Sequence, residues 1–352
     1  MSRLSQVLCV LMVLAAAGAA LAEQAPALTS FSFPGDVAQA EPAEAACCNA
    51  GCVDCCAPCC CCPTWTVEAG AVLLERVRDN DRVLMTDMNG GVLLDASEFD
   101  TDVEGGPMVR LLRHRPCGPD LELSFFTIGQ FSDAAVYPAF PDGTRFIVQE
   151  PNPFYFNGNT GPNPVAFRSE LYSTELNARW CANQWLTVLA GFRWVELHEQ
   201  INWDFRFDTI GCRTRVNGGN HMYGFQLGAD AALWRCGRLR LDGLLKAGAY
   251  GNWASATSAF EQPRGAQGWG TADRDGVVSF LGEVDLTAKY RLSPSVQLAA
   301  GYQVMWMEGV ALASQQLSAL NVPYSGHGIG DGIDTSGSPF YHGALVSLIY
   351  TR

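Results

Sequence analysis

Fourteen cysteines stand in this chain of 352 residues, and nine of them crowd into one run, CCNAGCVDCCAPCCCC: Cys47, Cys48, Cys52, Cys55, Cys56, Cys59, Cys60, Cys61 and Cys62. Two chemistries are open to them. The C-x-x-C spacing of Cys52/Cys55 and Cys56/Cys59 lets two thiolates reach one zinc or copper ion, whereas an oxidising compartment turns crowded thiols into disulfides. No histidine flanks the run, which disfavours a mixed zinc site. The start of the chain also favours oxidation. Arg3, an apolar run from Val7 to about Leu21, and Ala20 and Ala22 ahead of Glu23 form the pattern of a cleaved secretory signal peptide over residues 1–22. Disulfides are therefore the expectation, joined by Cys117, Cys181 and Cys236 further along; no resident metal and no cofactor are expected.

Other catalytic constellations are missing from the sequence. There is no G-x-S-x-G elbow, and the five histidines, at 114, 198, 221, 327 and 342, lack H-E-x-x-H spacing. The expectation is a protein that is not an enzyme. With 23 Lys and Arg against 36 Asp and Glu, the net charge of −13 excludes a nucleic-acid partner. Asp79, Asp81, Asp87, Asp95, Glu98, Asp100 and Asp102 make one loop strongly acidic; a solvated surface is its plain reading and divalent-cation binding its sharper one. The glycine-rich run 326–334 lacks the repeat of a calcium-binding nonapeptide and the strand-to-helix setting of a phosphate loop, so it reads as surface loop.

These residues must be positioned by strands. Residues 23–63 are rich in Ala, Pro and Cys without hydrophobic period, so they read as a periplasmic segment ahead of a domain over 64–352. From there one plan repeats: an alternating strand, a very short turn, a second strand, a long polar loop. Ten strands are expected near 65–76, 104–115, 120–131, 166–180, 185–198, 221–235, 239–251, 277–291, 296–308 and 340–352. Twelve is the alternative, because the runs at 145–148 and 203–207 are extended. Short turns at one end and long loops at the other predict an all-β, antiparallel up-and-down transmembrane barrel.

Aromatic placement supports lipid rather than a soluble core. Trp65, Trp180, Trp185, Trp234, Tyr290 and Tyr350 neighbour the short turns, while Trp194, Tyr223, Phe280 and Trp306 follow roughly ten residues away. Ten residues at about 3.3 Å each, tilted by roughly 40°, rise about 25 Å, the height of an outer-membrane apolar band between its girdles. The partner implied is outer-membrane lipid, with other envelope proteins joined through disulfides. No oligomeric state follows.

Strand parity then sorts the charges. Glu68, Glu122, Glu175, Asp230, Asp242, Glu283 and Asp285 point inward with Arg110, Arg179, Arg193, Arg240, Lys246 and Lys289. Near balance inside a ten-strand barrel predicts cross-lumen ion pairs that fill the interior, with a narrow pore as the alternative. The candidate functions are thus a structural envelope barrel, a porin-like channel for small solutes or ions, and a surface-binding barrel with acidic loops.

At residues 64–352 the chain resembles the planctomycete outer-membrane β-barrel family, related to the Legionella-type pore-forming major outer-membrane proteins. The strand Trp65-Thr66-Val67-Glu68-Ala69-Gly70-Ala71-Val72-Leu73-Leu74-Glu75-Arg76, the strand Glu175-Leu176-Asn177-Ala178-Arg179 and Leu189-Ala190-Gly191-Phe192-Arg193-Trp194 carry the resemblance. It implies an outer-membrane barrel, open to a pore function, with no defined substrate. One departure is that Tyr350 stands third from last, where the terminal residue is usually aromatic.

Overall fold

A computed structural model describes residues 64–352 apart from 78–82, 87–88, 90, 96–97, 99–101, 117, 138–143, 147–153, 157–160, 208–209, 262–268 and 320–331. The expected signal peptide, the nine cysteines from Cys47 to Cys62 and Cys117 lie outside the described residues, as does much of the acidic loop.

Ten antiparallel strands close into one barrel. They are β1 (Trp65–Val77), β4 (Glu104–Arg113), β5 (Asp120–Tyr137), β8 (Asn163–Cys181), β9 (Leu186–Phe207), β10 (Ile210–Cys236), β11 (Leu239–Glu261), β12 (Trp269–Arg291), β13 (Val296–Glu308) and β14 (Phe340–Thr351), each paired with the next in this order. Closure comes from β1 against β14, from Thr66↔Thr351 to Val77↔Phe340, and it leaves no sheet edge. Four short strands in the segments after β1 and β5 build a second sheet in the order β3-β2-β6-β7: β2 (Val83–Thr86), β3 (Val92–Asp95), β6 (Thr144–Phe146) and β7 (Phe154–Phe156). The twelve-strand alternative is thereby settled. Residues 144–146 belong to the small sheet, and 203–207 are the far end of β9.

The outer wall is apolar where a water-soluble barrel would be polar. Phe225, Leu227 and Val278 are 78, 70 and 79% exposed, and Leu176, Leu245, Leu286, Leu298 and Leu348 continue the same band. So large a continuous apolar surface is stable only against lipid, which makes this a membrane barrel. Trp65, Trp180, Trp185, Trp234, Tyr290 and Tyr350 are exposed at the short-turn end, and at the other end the Trp194 and Tyr223 rings stack 6.4 Å apart. Trp306 is a correction. It has outward parity, but its ring lies flat across Gly282 beside Phe280 and is only 8% exposed, so it seals the wall instead of projecting into the girdle.

Two of the expected long loops are also corrected. Residues 199–220, between the expected strands 185–198 and 221–235, are mostly ladder, since β9 and β10 stay paired out to Phe207↔Ile210, and β11 and β12 stay paired out to Phe260↔Trp269 in the gap between the expected strands 239–251 and 277–291. Beyond the girdle the outward face turns polar, at Glu196, His198, Gln200, Asn202 and Asp204, while Leu197, Ile201, Trp203 and Val216 stay buried on the inward face, so the alternation inverts as the backbone ladder continues. Polar cross-strand pairs such as Asp204 with Arg213 and Gln200 with Asn217 hold it there. Strands β8 to β12 consequently run 19 to 27 residues, against 10 to 13 for β13, β14, β1 and β4. The barrel has one tall wall and one short one. Cys212 sits in the tall wall rather than in a loop; it is buried, and burial pushes its thiol pKa up.

Candidate functional site: a lumen closed in two layers

Inward-facing residues of the ladder meet in one ionic layer. Lys246 Nζ, from β11, reaches Glu175 Oε1 on β8 at 2.9 Å and Glu283 Oε1 on β12 at 2.7 Å. Arg193, on β9, reaches across the lumen to Glu283 Oε2 at 2.7 Å and stands 3.4 Å from Glu175. Arg193 and Lys246 have 0 and 2% of their side chains exposed, so each charge depends on its partners rather than on water. Arg193 also donates to Ser173 Oγ at 2.9 Å and lies over the Phe126 ring at 5.8 Å.

The layer extends around the barrel. Arg110 on β4 pairs with Glu68 on β1 at 3.0 Å and lies 3.9 Å from Glu122 on β5. Glu122 also meets Arg179, which continues to Asp230 on β10. Asp242 is shared between Arg240 and Lys289, the latter at 2.9 Å. Asp285 lines the same space. The thirteen inward charges read from parity thus line the lumen from Arg240 and Lys289 near the short turns up to Lys246, Arg193 and Glu283 further along the strands.

Neutral residues complete the layer, and these the charge pattern does not reveal. Asn177 donates to both Glu122 and Glu175 at 3.0 Å, Gln226 donates to Glu175 at 2.6 Å, and Ser347 donates to Glu68 at 2.6 Å. A carboxylate offers about four lone-pair sites, and these donors together with Lys246 occupy those of Glu175, which is 3% exposed. A void of about 50 Å³ remains among Glu68, Arg110, Asp285 and Lys289, room for a few waters.

A second layer closes the lumen nearer the long-loop end. After β13 the chain turns at Gly309, whose φ of +82° favours glycine, and folds inward through α1 (Ala313–Ala319). Val310, Ala311, Leu312 and Ala313 are 0 to 1% exposed. Inward-facing side chains hold the backbone of this segment. Asn220 donates to Ala311 O at 2.8 Å and accepts from Ala311 N at 2.8 Å. Glu199 accepts from Ala313 N at 3.0 Å while pairing with Arg76 at 2.6 Å. Ser279 donates to Gly309 O at 2.6 Å. At Gly218 a Cβ would fall 2.7 Å from Ala311 O, so only glycine admits the segment this close. Glu199 and Asn220 lie one residue past the strand ends expected from sequence, and Arg76 is the end residue of its expected strand. Carrying the parity one or two residues further would have found the first two.

Cys181 and Cys236 are exposed at the short-turn end, the end at which the chain enters β1.

No family model matches the chain, and neither does any curated protein. Among solved structures it is similar to the outer-membrane protease OmpT from Escherichia coli, at 10% identity and a TM-score of 0.46 over 82% of this chain and 97% of that one. It is also similar to the toluene transporter TodX of P. putida, at 11% identity and a TM-score of 0.31 over 83% and 90%, and to a FadL homologue of Pseudomonas aeruginosa, at 10% and 0.27 over 82% and 89%. All three are β-barrel structures, and at these identities the likeness ends at the class of fold.

Proposed function

We propose that this chain is a structural barrel of the bacterial outer membrane whose lumen is closed at rest, exported through a cleaved signal peptide and linked on its periplasmic side through its cysteine-rich segment. The observation that carries the reading is the double closure: an ionic layer with room for only a few waters, and a buried chain segment above it. Selective channels place one-signed rings or carbonyl dipoles around an open path, whereas here both signs neutralise each other across a narrow interior. The resemblance to planctomycete outer-membrane barrels fits this reading and names no solute.

Conductance tests it directly. The refolded full chain in planar bilayers is expected to give no steady openings across a wide voltage range. Discrete openings of the unmodified chain would overturn the closed reading in favour of a porin-like channel for small solutes or ions.

The cysteine part of the reading has its own support, since Cys181 and Cys236 are exposed at the end where the segment carrying Cys47 to Cys62 joins β1. Disulfides from that segment to Cys117, Cys181 or Cys236, or to neighbouring envelope proteins, would make the barrel an anchor for a cross-linked layer. Non-reducing gels of native envelopes should then show reductant-sensitive species larger than the monomer, or peptide mapping should recover links between the segment and the turns. Monomer alone with bonds confined to residues 47–62 would remove this part.

A further inference from the structure

The outer wall carries a group that neither the lumen nor the apolar band explains. Two residues past Trp194 on β9, beyond the aromatic girdle, Glu196 and His198 point outward, and Glu196 sits in register with His221 on β10. His221 Nδ1 contacts Glu196 Oε2, and His198 Nε2 stands 3.2 Å from the same oxygen. The two imidazoles meet edge to face with centroids 5.4 Å apart. The three donor atoms all lie within 4.8 Å of one another.

We propose that Glu196, His198 and His221 form a binding site for a divalent transition-metal ion, zinc being the probe ion, on the outer wall of the barrel just beyond the girdle. The donor set is the first argument. Two imidazoles and one carboxylate suit zinc, copper or nickel and are poor for calcium or magnesium, which take oxygen ligands. Spacing is the second: donors at about 2.0 to 2.1 Å around a tetrahedral zinc lie roughly 3.3 Å from one another, which the 3.2 Å between His198 Nε2 and Glu196 Oε2 matches, while His221 Nδ1 would draw back from Glu196 to admit the ion.

The surroundings supply the remaining requirements. Glu196 Oε2 is buried, and both imidazole nitrogens converge on it. Trp194 Nε1 donates to Glu196 Oε1 at 2.6 Å and so fixes the carboxylate, the kind of outer contact that orients a ligand. The imidazoles themselves are 44 and 42% exposed and reachable from solvent. Beside His198 an open polar depression of about 380 Å³ runs past Arg168, Gln200, Asn217 and Thr257. Gly219, the cross-strand partner of His198, keeps that flank free, since a Cβ there would lie 3.4 Å from His198 Nδ1. A fourth coordination position is therefore left for water or for an anionic group brought by a second molecule.

The test is zinc binding to the untagged full chain, refolded in detergent with its thiols alkylated so that the cysteine run cannot bind the metal. One zinc equivalent is expected, unaffected by excess calcium, with affinity lowered at least 100-fold in H198Q/H221Q and about tenfold in W194F, which removes only the outer contact. Heat-modifiable migration on gels checks that each variant is folded. A folded H198Q/H221Q that binds zinc as tightly as the parent overturns the site, and so does displacement of zinc by calcium. A measurement on the unmodified sequence stands apart from folding of the variants: zinc should protect His198 and His221, but not His114, from diethyl pyrocarbonate, and equal modification with and without zinc overturns the proposal.

Discussion

The two closures of this lumen use opposite chemistry at neighbouring levels. In the ionic layer, side chains from all around the barrel satisfy one another, and the Arg193, Lys246, Glu175 and Glu283 group is 0 to 3% exposed. In the segment layer, a stretch of backbone is held by Asn220, Glu199 and Ser279, and its own side chains are small or apolar. The first is a property of the finished barrel and cannot open without breaking strand-borne contacts. The second is a local fold of one connection. The lesson is that a blocked interior can be inseparable from the wall at one level and detachable at the next.

Breaking the ionic layer should have the largest effect. Arg193→Met would leave Glu283 and Glu175 with Lys246 as their remaining cation, and removing one partner from a buried pair costs about 3 to 5 kcal/mol. The urea midpoint of the refolded barrel should fall accordingly. In Arg193→Met/Glu283→Met, where the stranded carboxylate is gone too, a substantial part of the loss should return. A single variant as stable as the parent would mean that the layer is not the wall's internal brace.

Both layers require the charged face to be the inside of the barrel. Ala190 and Gly191 are neighbours on β9 with opposite parity: Ala190 shares the outward side with Phe192, while a Cβ on Gly191 would meet Asn177 in the lumen at 2.1 Å. Ala190→Arg puts a charge on the lipid face and should cost about 2 to 4 kcal/mol near mid-membrane, with the loss largest in thick bilayers. Gly191→Arg should lose stability through crowding and show little dependence on bilayer thickness. Equal dependence in folding titrations across lipids of different chain length would contradict the parity.

Most of the wall and the ionic layer were legible in sequence for one reason. Alternation at period two is a strong signal where one face meets lipid and the other a lumen, so Glu175, Arg193, Lys246 and Glu283 declare their side by counting from Leu176, Phe192, Leu245 and Val284. Above the girdle that contrast inverts, with polar residues outward and Leu197, Ile201, Trp203 and Val216 buried inward. Asn202, Asp204, Arg213 and Arg215 look like loop residues although they are ladder residues. The inward segment was illegible for a different reason: a helix of 7 residues held through its backbone imposes almost no side-chain pattern. Trp306 departs from the girdle because parity tells which side a ring leaves the backbone from, not whether a neighbouring glycine lets it lie down.

Loosening the segment layer should therefore be a smaller and more local event. Asn220→Ala removes both bonds to Ala311 and the acceptor used by Asn252, and leaving buried polar groups unmet costs about 1 to 3 kcal/mol. Amide exchange at residues 309–314 should rise while that of β12 and β13 stays near the parent. Bilayer conductance should stay silent, because the ionic layer is intact. Steady openings in this variant would reverse the ranking and make the segment the true stopper.

The smallest effect is expected where an ion pair is built on the tall wall outside both layers. Arg213 approaches Asp204 with two nitrogens, at 2.6 and 3.2 Å, a better geometry than several lumen pairs, and the aspartate holds the guanidinium pKa above its usual range. Yet the side chains are 50 and 44% exposed, against 0 and 2% for Arg193 and Glu283. Water already solvates both charges, and salt screens them at a Debye length of about 10 Å in 0.1 M electrolyte. Asp204→Asn should therefore shift the urea midpoint by the equivalent of about 1 kcal/mol or less, and that small shift should fade in high salt. A loss as large as that of Arg193→Met, persisting in high salt, would show that desolvation is not what separates these pairs and that the tall wall is braced by its exposed ladder.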